Sequence, residues 1–575
     1  MQLKVLFIHA NTKNHRNGHY KKMKSLTNKN WIISAVIVLV LIALVAYFWA
    51  DALMDSLFDY RSSLAENPPT AGEAVNGALT RRVVLVLVDA LREDTSLNPE
   101  VMPYLNELRQ KAAWASMHSR TPSYSAPGWT TILTGAWPDI NDSQPANPPD
   151  ENSVRTFTQD DIFAAADRSG LQTAVSGYFW FEDMLANSGV DAGFYTPHED
   201  NSADQDVLEA AIPWLENGDY QLVLIHLDQA DYAGHHEGGP QDANWDAAAT
   251  RVDAMLAHIV GALDLQQDTL LIFSDHGQID QGGHGGHEAV ALIEPFVMLG
   301  AGVIPGHYAD IQMTDIAPTV AALLGTSLPA SNQGRALTEM IQLPAGQQAA
   351  EFKQVLLDQQ NNLLHAYQTA LGFESSTQPS ITSVADTAAI MDGLRAGRLQ
   401  QERLPRLVIA VLLAIVPALF LVFKWKYQTG WRLLGSAISL GIVNLLYGVI
   451  ANKAYSLSSL TSASDLILSM ALYVGIGFVI GWLVSMLLTG SLSRNKTELI
   501  HNTLAFTFLT LLLLVLPIVW NFYRNGLLIT WTLPEFAIMY FAFLCILQSL
   551  FVALFGLLFS GMAALLGFVM SREKK

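Results

Sequence analysis

A fifteen-residue stretch, SDHGQIDQGGHGGHE at 274–288, concentrates side chains that bind metal ions. It contains Asp275, His276 and His284, although the chain has only 15 histidines in 575 residues. The apolar run TLLIFS at 269–274 precedes it and has the composition of a buried strand. Carboxylates and imidazoles are ordinary ligands of divalent zinc, so the stretch predicts a metal site at the end of a strand.

Three further segments place similar side chains beyond a strand or at the start of a helix. They are VLVDALRED at 86–94, TPSYSAPGWTTILTG at 121–135 and HLDQADYAGHHEGG at 226–239. Pro127 suits the first turn of a helix, which puts Ser125 near a helix N-terminus, where anions bind. The candidate site residues from these segments are Asp89, Ser125, Asp231 and His235.

The elements that must position these residues alternate along the chain. Apolar runs typical of buried strands are followed by segments with helical periodicity, which predicts an α/β fold with a mostly parallel sheet flanked by helices. In such sheets, chemistry gathers at the C-terminal ends of the strands, where Asp89 and Asp275 stand. The predicted strands are 83–88, 173–177, 222–227, 269–274 and 295–300.

Apolar segments of membrane-spanning length lie at both ends of the chain. One precedes the α/β region and about five follow it, at 405–423, 432–451, 466–489, 500–520 and 536–570. Because the first 30 residues carry seven Lys/Arg and no acid, both termini are predicted to be cytoplasmic and the α/β region extracytoplasmic. The predicted divisions are a basic N-terminus (1–30), a signal anchor (31–50), a linker (51–80), a metal-dependent catalytic domain (81–345), a helical stalk (346–403) and a multi-span membrane domain (404–575).

Charge and cysteine content restrict the partners. Residues 31–400 carry 14 Lys/Arg against 47 Asp/Glu, and this acidic surface argues against nucleic acid. Cys545 is the single cysteine, so no disulfide stabilises the external domain. The predicted spans imply contact with membrane lipids, and the sequence leaves the oligomeric state open.

The four polar segments, taken in order, resemble the alkaline phosphatase superfamily. The resemblance rests on an Asp after an early strand, a Ser two residues before a Pro, D-x-x-G-H, and D-H-G followed by G-x-H-G. Within the superfamily, the chain is similar to the type I phosphodiesterase and nucleotide pyrophosphatase branch over roughly 81–335. In layout, in PSYSAPG and in GGHGG, it looks closest to the glycosylphosphatidylinositol ethanolamine phosphate transferases.

The resemblance implies two Zn²⁺ ions, with Mn²⁺ as the alternative metal, and a serine nucleophile. Ser125 would attack a phosphoester to give a phosphoserine, from which water or another alcohol then takes the group. A coordinated hydroxyl is a better nucleophile, and two cations about 3.5–4 Å apart can hold both the attacking and the leaving oxygen. The implied ligand sets are Asp231, His235 and His284 for one ion, and Asp89, Asp275 and His276, with the Ser125 oxygen, for the other.

The chain departs from the family pattern at two places. Trp129 stands where relatives often have a His, and PDIND at 138–142 replaces the pyrophosphatase P-x-x-H-G element. These departures weaken the case for nucleotide substrates and leave Asn141 and Asn147 as candidates for the transition-state stabiliser.

The predicted function is that of a membrane-anchored, two-zinc phosphodiesterase or phosphotransferase acting on a membrane-near phosphoester. One alternative is a sulfatase-type ester hydrolase, although Trp129 occupies the place of the Arg in the sulfatase C/S-x-P-x-R pattern. The other is a non-catalytic receptor or transport module, against which the presence of the full set of polar residues argues.

Overall fold

The computed structural model describes residues 3–75, 77–343, 347–373, 381–493 and 496–572. Residues 1–2, 76, 344–346, 374–380, 494–495 and 573–575 lie outside these ranges, and they belong to the predicted N-terminus, linker, catalytic domain, stalk and membrane domain. Within the described residues, six helices are long and apolar enough to cross a membrane, one before the α/β domain and five after it. The predicted number and distribution of spans are therefore confirmed.

One nine-stranded sheet forms the α/β domain, in the order β4-β3-β5-β1-β6-β7-β2-β8, with β9 also pairing with β2. From β4 to β6 all neighbours are parallel, whereas β7 is antiparallel to both β6 and β2. The predicted mostly parallel α/β fold is confirmed. The strands are β1 Arg82–Val88, β2 Ala113–His118, β3 Thr173–Tyr178, β4 Ala192–Thr196, β5 Leu222–Leu227, β6 Asp268–Phe273, β7 Ile293–Gly300, β8 Gly306–His307 and β9 Ile311–Gln312.

Helices cover both faces of this sheet and form the membrane domain. The helices of the α/β domain are α2 Glu93–Leu97, α3 Pro103–Arg109, α4 Ser125–Thr134, α5 Pro138–Asn141, α6 Ile162–Arg168, α7 Trp180–Met184, α8 Asn201–Asn217, α9 Gln229–His236, α10 Ala243–Gly261, α11 Ala289–Leu292 and α12 Ile316–Leu324. The others are α1 Leu3–Phe58, α13 Gln347–Ala370, α14 Val384–Phe423, α15 Tyr427–Asn444, α16 Ala463–Leu488, α17 Lys496–Asn525 and α18 Phe536–Arg572, with a π-helix at Leu445–Ile450.

Strand β1 shows why its sequence is a continuous apolar run. Leu85 and Leu87 pack into a core that includes residues of α4, α6 and α12, and Val84 and Val86 pack into a second core with residues of α3, α8 and α10. Both faces of the strand are therefore buried, as the uninterrupted apolar pattern predicts. Its C-terminal end lies at the centre of the sheet, where β5 and β6 flank it.

Two boundaries differ in detail from the predicted segments. Helix α1 continues to Phe58, so the predicted linker 51–80 begins inside it. The linker is also fixed to the α/β domain, because the Ser62 N–H and the Arg61 guanidinium both donate to Asp142. Helix α14 runs without a break from the predicted stalk into the second span.

Candidate metal and nucleophile site

The C-terminal ends of β1, β5 and β6 place the predicted site residues at one edge of the sheet. Because these strands are neighbours and parallel, the residues that follow them converge. Ser125 is the first residue of α4, and His284 reaches the same place from a glycine-rich loop. The structure brings together all seven predicted site residues, namely Asp89, Ser125, Asp231, His235, Asp275, His276 and His284.

The first predicted ligand set lies where α9 meets the glycine-rich loop. His235 Nε2 is 2.9 Å from His284 Nε2 and 3.5 Å from Asp231 Oδ2. His284 Nε2 is 3.6 Å from Asp231 Oδ1. Asp231 and His235 are one helical turn apart, so the D-x-x-G-H spacing puts both side chains on one face of α9.

The second predicted set surrounds His276, whose Nε2 is 3.4 Å from Asp89 Oδ1 and 3.5 Å from Asp275 Oδ2. Ser125 Oγ is 3.3 Å from the same nitrogen. The two sets adjoin, because the rings of His276 and His284 stack with centroids 4.0 Å apart. Ligand atoms of both sets therefore surround a single small volume.

The chemistry of this cluster fits metal ions. Asp89 Oδ1 and Asp275 Oδ2 are buried and accept no hydrogen bond from any described residue. Burial raises the pKa of Asp275 to about 8 and lowers that of His276 to about 4. Along the described chain, the ion-pair partners of Asp89, Asp231 and Asp275 are all histidines. Neutral imidazoles and unsatisfied carboxylates packed together lack positive charge, which divalent cations would supply.

Ser125 is buried, with 5% of its surface exposed, and a second polar side chain contacts it. The Asn147 amide donates from Nδ2 to Ser125 Oγ across 3.4 Å, and its Oδ1 accepts from the Ala126 N–H at 3.1 Å. Asn141, by contrast, donates to the Ala136 carbonyl at 2.6 Å and accepts from a backbone N–H. Of the two candidate stabilisers, only Asn147 contacts the predicted nucleophile in the described structure.

Trp129 and His226 contact Asp89 at Oδ2, whereas the other oxygen, Oδ1, lies nearest His276. The Trp129 indole Nε1 donates to Asp89 Oδ2 at 3.2 Å, and His226 Nε2 is 3.0 Å from the same oxygen. The position where Trp129 departs from the family pattern thus supports a predicted ligand. His226 and Asp228, to which the sequence assigned no ligand role, also offer atoms within 4.8 Å of one another and of Asp89.

Gln278 is a site residue that sequence reasoning missed. Its Nε2 donates to Asp231 Oδ1 at 2.5 Å, and its Oε1 accepts from the Gly283 N–H at 3.2 Å. It therefore connects the two segments of the first ligand set. The D-x-x-G-H glycine is explained by the same side chain, because a Cβ at Gly234 would collide with Gln278. The sequence signal that could have identified Gln278 is a polar residue three positions after Asp275, inside the stretch that carries the predicted ligands.

The glycine-rich loop needs its glycines for a backbone reason. Gly282, Gly283 and Gly285 have φ of +80°, +104° and +97°, in the left-handed region that side chains disfavour. This path turns the chain back, so that His284 Nδ1 lies 3.1 Å from the Ser123 carbonyl while Nε2 faces Asp231.

Part of the chain is similar to known proteins. Residues 83–294 match the family model for type I phosphodiesterase / nucleotide pyrophosphatase. The chain is 24% identical over 337 residues to human GPI ethanolamine phosphate transferase 2, catalytic subunit, a match that covers 53% of this chain and 33% of that protein. It is also 24% identical to the Candida glabrata GPI ethanolamine phosphate transferase 2, over 46% of this chain and 36% of the relative. The matched region thus spans about a third of the curated relatives' length.

Solved structures with a similar arrangement include murine ectonucleotide pyrophosphatase/phosphodiesterase 5, with a TM-score of 0.38, 14% identity and coverage of 43% of this chain and 96% of that one. Wild-type alkaline phosphatase PafA matches with a TM-score of 0.40, 12% identity and coverage of 46% and 100%. The predicted resemblance to the type I phosphodiesterase and nucleotide pyrophosphatase family is confirmed by the family match across residues 83–294.

Proposed function

We propose that the chain is a membrane-anchored phosphotransferase or phosphodiesterase with Ser125 as its nucleophile and two zinc ions as its cofactor. The observation that carries the proposal is the convergence of Ser125 with three carboxylates and three imidazoles in one cluster. The similarity to ethanolamine phosphate transferases supports a phosphoethanolamine-type group as the group that is transferred, and a lipid-linked phosphoester as the substrate.

The proposed ligands divide into the two sets described above. Asp231, His235 and His284 would hold one ion, and Asp89, Asp275 and His276 would hold the other, beside the Ser125 oxygen. When bound, the ions would supply the positive charge that lowers the pKa of the serine hydroxyl and balances the phosphoryl oxygens. Mn²⁺ is the alternative metal with similar ligand preferences.

The reaction proceeds in two displacements at phosphorus. In the first, a bond forms between Ser125 Oγ and phosphorus while the bond from phosphorus to the leaving alcohol breaks, and the hydroxyl proton of Ser125 is exchanged for one on the departing alcohol oxygen. In the second, the acceptor oxygen bonds phosphorus while the bond from phosphorus to Oγ breaks, and the acceptor's proton is exchanged for one on Oγ, which frees the serine. The Asn147 amide, which already donates to Oγ, is placed to donate to a phosphoryl oxygen in both steps. Water as acceptor gives a hydrolase, and a sugar or lipid hydroxyl gives a transferase.

The surroundings of the site favour a substrate at the membrane surface. Tyr124, next to the nucleophile, packs against an apolar cluster made largely of membrane helices, including Leu57 of α1 and Tyr540 of α18. The basic N-terminus supports an orientation with both termini cytoplasmic and the α/β domain outside.

The test uses the full-length chain in detergent micelles with zinc. We expect chelator-sensitive release of nitrophenol from the nitrophenyl ester of phosphoethanolamine and from bis-nitrophenyl phosphate. Ser125→Ala should retain its zinc but lose turnover by about 10⁴-fold or more. Ser153→Ala, in a short turn of the same domain, is the matched control and should behave like the parent.

Three results would overturn the proposal. These are an absence of bound zinc, turnover that persists in Ser125→Ala, or a preference for nitrophenyl sulfate, which would instead support the sulfatase alternative. Peptide mass spectrometry after rapid quenching should find the transferred group, phosphoethanolamine or nitrophenyl phosphate according to the substrate, on Ser125 and nowhere else in the segment 121–135.

A further inference from the structure

A loop of the membrane domain contacts the loop that carries His284. The first, called here the outer loop, is residues 451–462, between the π-helix and α16. The second, called here the His284 loop, is residues 281–288. The two are separated by about 170 positions in sequence, yet they share direct hydrogen bonds.

Two serines of the outer loop make these hydrogen bonds. Ser458 Oγ accepts from the Gly286 N–H at 3.0 Å and donates to Glu288 Oε2 at 2.7 Å. The Ser456 hydroxyl donates to the other carboxylate oxygen, Glu288 Oε1. Ser456 and Ser458 are each only 1% exposed, so this is a buried interface rather than a surface encounter. Hydrogen bonds to a charged acceptor at a buried site are among the stronger hydrogen bonds in proteins.

The two loops are also shaped for each other. A Cβ at Gly286 would collide with the Glu288 carboxylate and with the hydroxyls of Ser456 and Ser458, and a Cβ at Gly283 would collide with the Ser458 carbonyl. Gly286 is not in the left-handed region, so conformational freedom does not explain why glycine is needed there. The close approach of Glu288 and of the two outer-loop serines bonded to it does explain it.

The other side of the His284 loop is fixed by the segment before the nucleophile. Thr121 Oγ1 donates to the Gly286 carbonyl at 2.8 Å, and the Gly285 N–H donates to Ser123 Oγ at 3.1 Å. The Tyr124 ring meets the His284 ring edge to face, with centroids 5.2 Å apart. The outer loop supplies the hydrogen bonds that connect the His284 loop to the membrane domain.

We propose that Ser456, Ser458 and Glu288 are positioning residues that hold His284 in its metal-binding place, so that the membrane domain completes the metal centre. The inference rests on the proposed function only in taking His284 as a zinc ligand. It assigns the two spans that flank the outer loop, α15 with its π-helical end and α16, a role beyond anchoring, because the loop they hold fixes the geometry of the site.

The test measures zinc affinity in the full-length chain by competition with a chelator, after metal has been removed. Ser458→Ala and Glu288→Ala should weaken the zinc bound through His284 by about 10–100-fold, as loss of support for a ligand does. Glu288→Gln keeps an acceptor and should lose less. Ser464→Ala, an exposed serine in α16 near the outer loop, is the matched control and should bind zinc like the parent.

A second readout is independent of metal. In the metal-free chain, hydrogen exchange of the 282–287 amides should accelerate by about tenfold or more in Ser458→Ala, because the Gly286 N–H loses its acceptor. A purely positioning role also predicts that excess zinc restores turnover in Ser458→Ala, whereas it cannot do so in Ser125→Ala.

The outcomes separate the two proposals. If the parent binds two zinc ions and turns over phosphoesters, but Ser458→Ala changes neither affinity nor exchange, the positioning role is overturned alone. If the variants weaken zinc binding while the parent hydrolyses and transfers nothing, the positioning role stands and the proposed function fails. A parent that binds no zinc overturns both.

Discussion

Trp129→Phe tests whether the indole N–H holds Asp89 in place for metal binding. Phenylalanine keeps a ring to pack against Phe181, which now stacks on Trp129 with centroids 4.3 Å apart, but it cannot donate to Asp89 Oδ2. A hydrogen bond to a charged group contributes about 1.5–3 kcal/mol. If removing this hydrogen bond destabilises only the metal-bound form, zinc affinity drops by roughly 10–150-fold. Because His226 still contacts the same oxygen at 3.0 Å, we expect the lower part of this range, about 10–30-fold.

The assay is chelator competition on the metal-free, full-length chain, paired with a thermal unfolding scan. Trp245→Phe is the matched control, because Trp245 is also 1% exposed and its indole donates to Thr95 Oγ1 at 3.0 Å, not to a predicted ligand. Both variants should lower the unfolding midpoint through the cavity they leave, and only Trp129→Phe should weaken zinc binding. Parent-like affinity in Trp129→Phe, or equal weakening in both variants, would refute the reasoning.

Two further predictions concern the nucleophile and the pH dependence of metal binding. Asn147→Ala should lower kcat by about 10²–10³-fold with zinc content unchanged, measured by steady-state kinetics and metal analysis; an unchanged kcat would remove Asn147 from the reaction. Burial raises the pKa of Asp275 to about 8 and raises that of Asp89 well above its usual value, so zinc must displace protons from them, and zinc affinity should rise by about tenfold or more per pH unit from pH 6 to 8. The same raised pKa predicts how the stability of the metal-free chain depends on pH. This stability should fall as pH rises from about 4, the pKa of an unfolded Asp, to about 8, where Asp275 loses its proton in the folded chain, and zinc should abolish that loss. A flat affinity profile in calorimetric titrations would contradict both statements about Asp275.

The site was more predictable than the full sheet. β1, β3, β5, β6 and β7 are largely buried, and their apolar runs predicted them, whereas β2, β4 and the two-residue strands β8 and β9 were missed. β2 alternates between buried and half-buried residues directly after α3, and β4 is a half-exposed edge strand, so neither has the continuous apolar pattern. Edge and half-exposed strands carry a weaker sequence signal because only part of their surface must be apolar.

The arrangement within the site depended on residues far apart in the chain. The sequence left Asn141 and Asn147 as equal candidates for the transition-state stabiliser. Only the tertiary structure shows that Asn141 donates a hydrogen bond to nearby backbone, whereas Asn147 contacts Ser125. The contact between Ser458 and Glu288 had no sequence signal, since a serine in a short loop between two spans has no pattern that names a partner.

The sequence by itself determined the layered α/β domain and the six spans, because these follow from local periodicity and hydropathy. It also indicated the seven polar residues that meet at one edge, through the rule that parallel strands end on the same side and through the resemblance to a known family. Tertiary structure decided which oxygen of Asp89 faces the other predicted ligands, which asparagine contacts the serine, and which membrane loop lies against His284. Local sequence patterns determine backbone conformation and burial. The contacts of Asp89, Ser125 and His284 instead depend on how distant segments pack against each other, and the spacing of residues along the chain does not encode that packing directly.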